Sequence, residues 1–393
     1  MVPMVNAADA NSAYAVDVSN LQLPQLQFDS SQTKVIVTQE LSPSQNVQSS
    51  QVTANLVASK NPTVSTIPYG SIIYHSDNGV TTVFDSTGKQ LFAADDAKSI
   101  KVSTPHGESP ATFVHEVPSG SFSKEVDGKT YIFYKGNLIL TIINGNDQRS
   151  IKTDIKNIAD SRTDGGVAIN SALLSNYLGW IEYSESTSAT VERFESTWVA
   201  PLATPTNSGV RESVAIWNGI ERTGVDGVMQ PVLMWNFCPY GDTQIHNNYV
   251  GAAWDYHTIS SPNKDSLHST PISVSPGDTV RGTLQWSSTY SCWLIQFNNI
   301  RTGQTTAYYT TRFPRDNLKL YMTLEASGAG IKPNNNSLTG SITFNNIIVQ
   351  NQGVTVPVTF TGHIWPGASS SFTGLEAVVS TNPQLQIFLR TGR

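Results

Sequence analysis

Charge is scarce in this sequence. Asp, Glu, Lys and Arg make up 14% of its 393 residues, against about 25% in ordinary soluble domains, and Ser, Thr, Asn and Gln fill the gap. A chain with few carboxylates has few ion pairs to lose as they protonate, so the composition suits a secreted, acid-tolerant, all-β protein. The net charge is −6 and no Lys/Arg run occurs, which argues against nucleic acid as a partner. Cysteine is nearly absent. Cys238 and Cys292 suffice for one disulfide or for two free thiols, and are too few for a tetrahedral metal site. No His-x-x-x-His spacing is present either, so neither metal nor cofactor is expected. No apolar run reaches the roughly 18 residues that cross a bilayer, which excludes a membrane-spanning helix. The opening Met1–Ala10 lacks the apolar centre of a signal peptide, and we expect a secreted protein whose signal has already been removed.

What is present is mostly strand and turn. The length fits two domains. Residues 1–66 are rich in Ala, Ser, Asn and Gln and read as a flexible lead-in with one possible strand at 34–41. Residues 67–145 read as hairpins. Asp77-Asn78-Gly79 and Val126-Asp127-Gly128-Lys129 supply the positive φ that tight turns need. The result is a small antiparallel β-domain. Residues 146–170 read as a linker, with a short amphipathic helix at 150–161. All eight tryptophans lie beyond it, from Trp180 to Trp365. Residues 171–393 carry strand after strand with no helix of consequence, which implies a two-sheet antiparallel β-sandwich of jelly-roll, lectin-like type.

One of those strands, Leu318–Ala326, alternates cleanly. Leu318, Leu320, Met322 and Leu324 face a core, while Lys319, Tyr321, Thr323 and Glu325 face away from it. Alone, Glu325 reads as a solvated charge, because carboxylates are seldom buried unless paired or functional. Its companions change that reading. In order come Asn176-Tyr177-Leu178-Gly179-Trp180, Phe194–Pro201, Trp217-Asn218-Gly219-Ile220-Glu221, Val228-Met229-Gln230, Ala253-Trp254-Asp255-Tyr256, the Glu325 strand and Gly340-Ser341-Ile342-Thr343-Phe344.

This series resembles the glutamic peptidases, the eqolisin family of acid endopeptidases, across roughly residues 174–350. The resemblance implies that Glu325 is the catalytic glutamate and Gln230 the catalytic glutamine, with a polypeptide substrate, a monomeric enzyme and an N-terminal propeptide. Two positions depart from the family pattern. Glu221 stands where the family has aspartate, and Tyr177 where it has a substrate-side tryptophan, so specificity is expected to shift while the catalytic pair remains. Trp217 and Trp254, with Trp235, are cleft walls or core. Tyr321 is a cleft wall or a cross-strand partner. Asp255 is a substrate-side carboxylate or a strand-end residue.

The chemistry is consistent with the resemblance. Peptide hydrolysis needs a base for water, a donor for the oxyanion and an acid for the leaving nitrogen. One glutamate serves as base and then acid, and an amide side chain is a neutral donor at any pH. Two rivals stand beside this reading: a carbohydrate-binding sandwich, and a glycosidase pairing Glu325 with Glu221 or Asp255. His246, His257 and His268 show no ordered spacing and receive no role. The first half is expected to cover the Gln230–Glu325 cleft and to leave it on acidification, through groups such as His106, His115, Glu108 and Glu116.

Overall fold

A computed structural model of the chain describes residues 67–86, 89–99, 101–126, 128–144, 177–184, 190–202, 213–222, 227–237, 246–260, 263–313, 315, 318–327, 340–364, 376–379 and 387–391. The expected lead-in, the strand at 34–41, the linker with its helix, Cys238 and Trp365 all lie outside the described residues.

Among the described residues the first half contributes nine strands: β1 Ser71–His75, β2 Val80–Phe84, β3 Gln90–Asp95, β4 Lys101–Thr104, β5 Gly107–Pro110, β6 Val114–Val117, β7 Ser121–Val126, β8 Lys129–Tyr134 and β9 Asn137–Asn144. The second half adds β10 Tyr177–Ser184, β11 Arg193–Val199, β12 Ser213–Arg222, β13 Gly227–Trp235, β14 Tyr249–Ser260, β15 Asn263–Ser269, β16 Ile272–Val274, β17 Thr279–Ser287, β18 Cys292–Asn299, β19 Thr305–Thr310, β20 Leu318–Ser327, β21 Gly340–Asn351, β22 Val354–Thr355, β23 Thr361–Ile364, β24 Glu376–Val379 and β25 Ile387–Thr391. Short 3₁₀ turns at Asp96–Lys98 and Ala111–Phe113 complete the described elements.

The fold is all-β. Two large sheets face each other. One runs β24-β25-β21-β11-β17-β18-β19-β7-β8-β9-β1-β2-β3, the other β23-β10-β20-β12-β13-β14-β15-β6, and β4–β5 is a separate hairpin. Between the large sheets lies a core of Trp198, Ile216, Leu233, Phe297, Leu320, Met322, Leu324 and Phe344. The Trp198 ring packs 5.4 Å from Phe344 and 6.1 Å from Phe297. The sheets approach closely at Gly251, where a Cβ would meet the Phe297 ring at 1.9 Å.

Among the described residues the pairing is antiparallel with three exceptions, all made by first-half strands: β1 with β9, β6 with β15, and β7 with β19. Consecutive strands β6 and β7 thus enter different sheets. The turn between them is tied on both sides, by Thr270 N to Val117 O at 2.9 Å and Gly120 N to Ala307 O at 2.8 Å. Ile73, Val83, Val117, Ile132, Leu140 and Ile142 share one continuous core with Trp198 and Leu320.

A buried ionic cluster lies at the seam. Arg312 donates from Nη1 to Asp255 at 2.7 Å and from Nη2 to Asp265 at 2.9 Å, with Glu125 of β7 at 3.9 Å. Burial works against the Arg312 charge, and the Asp255, Asp265 and Glu125 carboxylates more than offset it, holding its pKa above the ordinary value. His115 of β6 approaches Asp265 at 3.6 Å. Burial, aided by the His268 and Arg312 charges, lowers the pKa of His115 to about 3.

Candidate active site

The alternation of β20 holds, and both of its faces are buried. Leu318, Leu320, Met322 and Leu324 enter the inter-sheet core. Lys319, Tyr321, Thr323 and Glu325 are buried on the outer face, Glu325 at 1% exposure. The solvated reading of that face fails because the first half covers it. Val102, Ala111 and Val114 pack in one cluster with Ala215, Trp217, Val228, Val232, Met234, Trp254, Tyr256 and Tyr321. Hairpin strand β5 lies against β20 itself.

Glu325 accepts a hydrogen bond from Trp217 Nε1 at 3.1 Å. The ladder explains how: Trp217 pairs with Thr323 on β20, and Ala215, one side chain along the same face, pairs with Glu325. The indole lies flat because the next residue on that face is Gly219. A Cβ at Gly219 would meet the ring at 2.6 Å. Tyr321 meets the indole edge-on at 6.5 Å.

Gln230 shares the outer face with Glu325, on the other side of β12. It is 1% exposed, and its Oε1 accepts no hydrogen bond from the described residues. Leaving a buried acceptor without a partner costs about 1–3 kcal/mol, so packing alone does not account for this amide. The two candidates are not side by side. Trp217–Val232 and Ile220–Met229 bracket the register and put Gln230 level with Gly219, whereas Glu325 is level with Ala215. At about 3.3 Å per residue that is an offset of about 13 Å along the strands, added to two strand spacings of about 4.8 Å. Trp217 lies between them, and no hydrogen bond joins Gln230 to Glu325 among the described residues.

The other expected site residues divide. Trp254 is on the outer face, opposite Gln230 in register, stacked on His268 at 4.5 Å. Glu221 is half-buried at the end of the same face of β12, level with Lys319. Tyr177 is opposite Glu325 in the β10–β20 ladder; its side chain lies outside the described residues. Asp255 must be corrected as a substrate-side carboxylate. It alternates with Trp254 and Tyr256, so it points between the sheets, fully buried and bonded to Arg312. Trp235 is inter-sheet core, 4.7 Å from Tyr249. Among the described residues no group of His, Cys, Asp and Glu is arranged to hold a metal.

No protein-family model matches the chain, and no curated protein matches it. Matching solved structures include scytalido-glutamic peptidase with a transition-state analogue inhibitor, at 15% identity, TM-score 0.38, and coverage of 56% of this chain and 99% of that one. SCP-B, an eqolisin-family peptidase in complex with the tripeptide Ala-Ile-His, matches at 17% identity, TM-score 0.36, and 56% and 98% coverage. An alginate lyase from Alteromonas sp. 272 matches at 14% identity, TM-score 0.26, and 47% and 78% coverage. Likeness at this level fixes neither a family nor an activity for the chain.

Several residues near Gln230 carried no sequence signal. The register makes one row across the sheet, Tyr321–Gly219–Gln230–Trp254–His268–Glu116, whose last member comes from β6 of the first half. Burial lowers the pKa of His268, while the Glu116 charge works against the shift. His106, in the turn of the β4–β5 hairpin, packs on Tyr256 at 4.1 Å, and its Nε2 is 3.3 Å from Ser266 Oγ. Glu116 and His106 are more than 100 residues from their partners His268, Tyr256 and Ser266, so no spacing rule could have paired them.

Proposed function

We propose that the chain is a peptide hydrolase acting through Glu325 and Gln230, held here with its cleft covered. The observation that carries the proposal is that a buried carboxylate and a buried amide share one aromatic-walled sheet face. Neither site makes sense as packing alone. In the proposed reaction the Glu325 carboxylate takes a proton from water as the water oxygen attacks the peptide carbonyl carbon. Gln230 donates an N–H to the oxygen that becomes negative. Glu325 then gives its proton to the leaving nitrogen as the C–N bond breaks.

The register offset leaves room for this chain of groups, carboxylate to water to carbonyl to amide, laid diagonally over the Trp217 indole as a floor. The hairpin packs on this face in the described form, and in the proposed mechanism the substrate enters when the hairpin lifts. Action at acid pH, secretion, a monomeric state and the specificity roles of Tyr177 and Glu221 belong to the same proposal. The glycosidase alternative does not fit with either Glu221 or Asp255 as its second carboxylate. Asp255 is on the opposite face, and Glu221 is six residues from the Ala215 rung, about 20 Å along the strand. Glycosidase carboxylates are roughly 5–10 Å apart.

The test is hydrolysis of denatured protein at about pH 2–5, read as new amino groups. Glu325→Gln should abolish it with the fold intact. Gln230→Ala should lower kcat by roughly 100-fold with little change in KM, because the oxyanion contact forms mainly in the transition state. Turnover retained by a folded Glu325→Gln protein refutes the assignment.

A further inference from the structure

We infer that Trp217 is the positioning residue for Glu325. It fixes the carboxylate through its indole N–H, donated to Oε2. The inference rests on the proposed role of Glu325. Sequence patterning offered Trp217 as a cleft wall or as core. The geometry gives it a different task, since its Nε1 is aimed at Glu325 Oε2 at 3.1 Å and both residues are buried.

Three features hold the indole there. Gly219 lets the ring lie flat, since any Cβ at that position would collide with it at 2.6 Å. Tyr321 abuts it edge-on. The central β12–β20 ladder fixes the backbones of both partners over ten paired residues. An N–H donor to a carboxylate favours the charged form, and more so where water is excluded. It therefore keeps Glu325 ionised, and able to act as base, to lower pH than an undonated carboxylate in the same apolar setting.

Two measurements on the full chain test this. In the first, the Trp217 indole Nε1–H resonance, assigned by its loss in Trp217→Phe, is followed from pH 7 to pH 3. It should move with the titration of Glu325 and stay flat in Glu325→Gln. A resonance independent of pH in the wild type overturns the inference, whatever the enzyme's activity. In the second, kinetics of Trp217→Phe and Trp217→His are compared with wild type at several pH values. Trp217→Phe keeps an aromatic ring over Gly219 and loses the donor; kcat should fall at least about tenfold and its acid limb should move to higher pH. Trp217→His retains a ring N–H and should recover part of both. A rise in KM alone, with kcat and the acid limb unmoved, returns Trp217 to the role of a wall. Turnover in Glu325→Gln refutes the peptidase reading itself, and the resonance titration still decides whether the two side chains are coupled.

Discussion

At the scale of single residues, Gly219 matters for what it lacks. Gly219→Ala puts a methyl where the Trp217 ring lies. The ring must lift, and the hydrogen bond to Glu325 goes with it. We expect a loss of about 1–3 kcal/mol in urea unfolding, the usual range for overpacking, and a fall in turnover greater than stability alone explains. A fully active Gly219→Ala protein would show that the flat indole is incidental. Residue-scale reading of the sequence was uneven. The alternation of β20 is readable from the sequence, whereas Gln230 enters only through the family resemblance. Of the two readings of Asp255, the substrate-side one conflicts with period-two alternation, which puts it on the opposite strand face from Trp254. The burial of Glu325 was not legible, because its cover comes from Val102, Ala111 and Val114, far away in the chain.

At the scale of elements, the long apolar strands were legible and the short polar ones were not. β17, Thr279–Ser287, is legible because the Pro276-Gly277-Asp278 turn and a run of strand-forming residues frame it. β15, Asn-Lys-Asp-Ser-Leu-His-Ser, offers Leu267 as its one large apolar side chain. It is a strand because β14 and β6 flank it on both sides. β6, four residues long, pairs with a segment roughly 150 positions away and has no local signature. The β4–β5 hairpin makes the element-scale prediction. Val102, on β4 of the hairpin, is fully buried, so Val102→Asp puts a carboxylate into an apolar cluster and should lift the hairpin. Limited proteolysis within 101–110 should accelerate, and peptide hydrolysis should rise while the sandwich stays folded. Faster cleavage of the hairpin without any gain in hydrolysis would mean that it does not gate the site.

At the scale of the whole molecule, acid acts on the seam. The pKa values of His115, His257 and His268 are lowered chiefly by burial, to about 3 for His115 and about 4 for His257. The unfolded chain takes up protons on these rings below about pH 6.5, while the folded chain resists until the lowered values are reached. Stability from these groups is therefore present at neutral pH and is lost as pH falls through that window. Asp255 and Asp265 oppose this trend, because burial raises their pKa values against the pull of Arg312. The comparison that isolates one sign is wild type against His115→Asn. The advantage of wild type in urea midpoint should shrink steadily from pH 7 to pH 4; a constant difference would mean that His115 titrates in the folded state as it does when unfolded.

The two parallel insertions of β6 and β7 also set an order of events. Their partners β15 and β19 lie later in the chain, so on the ribosome the first half must wait, its edges open, until the second half has been made. A cut made afterwards, anywhere between residues 144 and 177, would leave two pieces gripping each other through both sheets. They should migrate as one particle in gel filtration and separate only in denaturant. For this chain, cleavage and release are then separate steps.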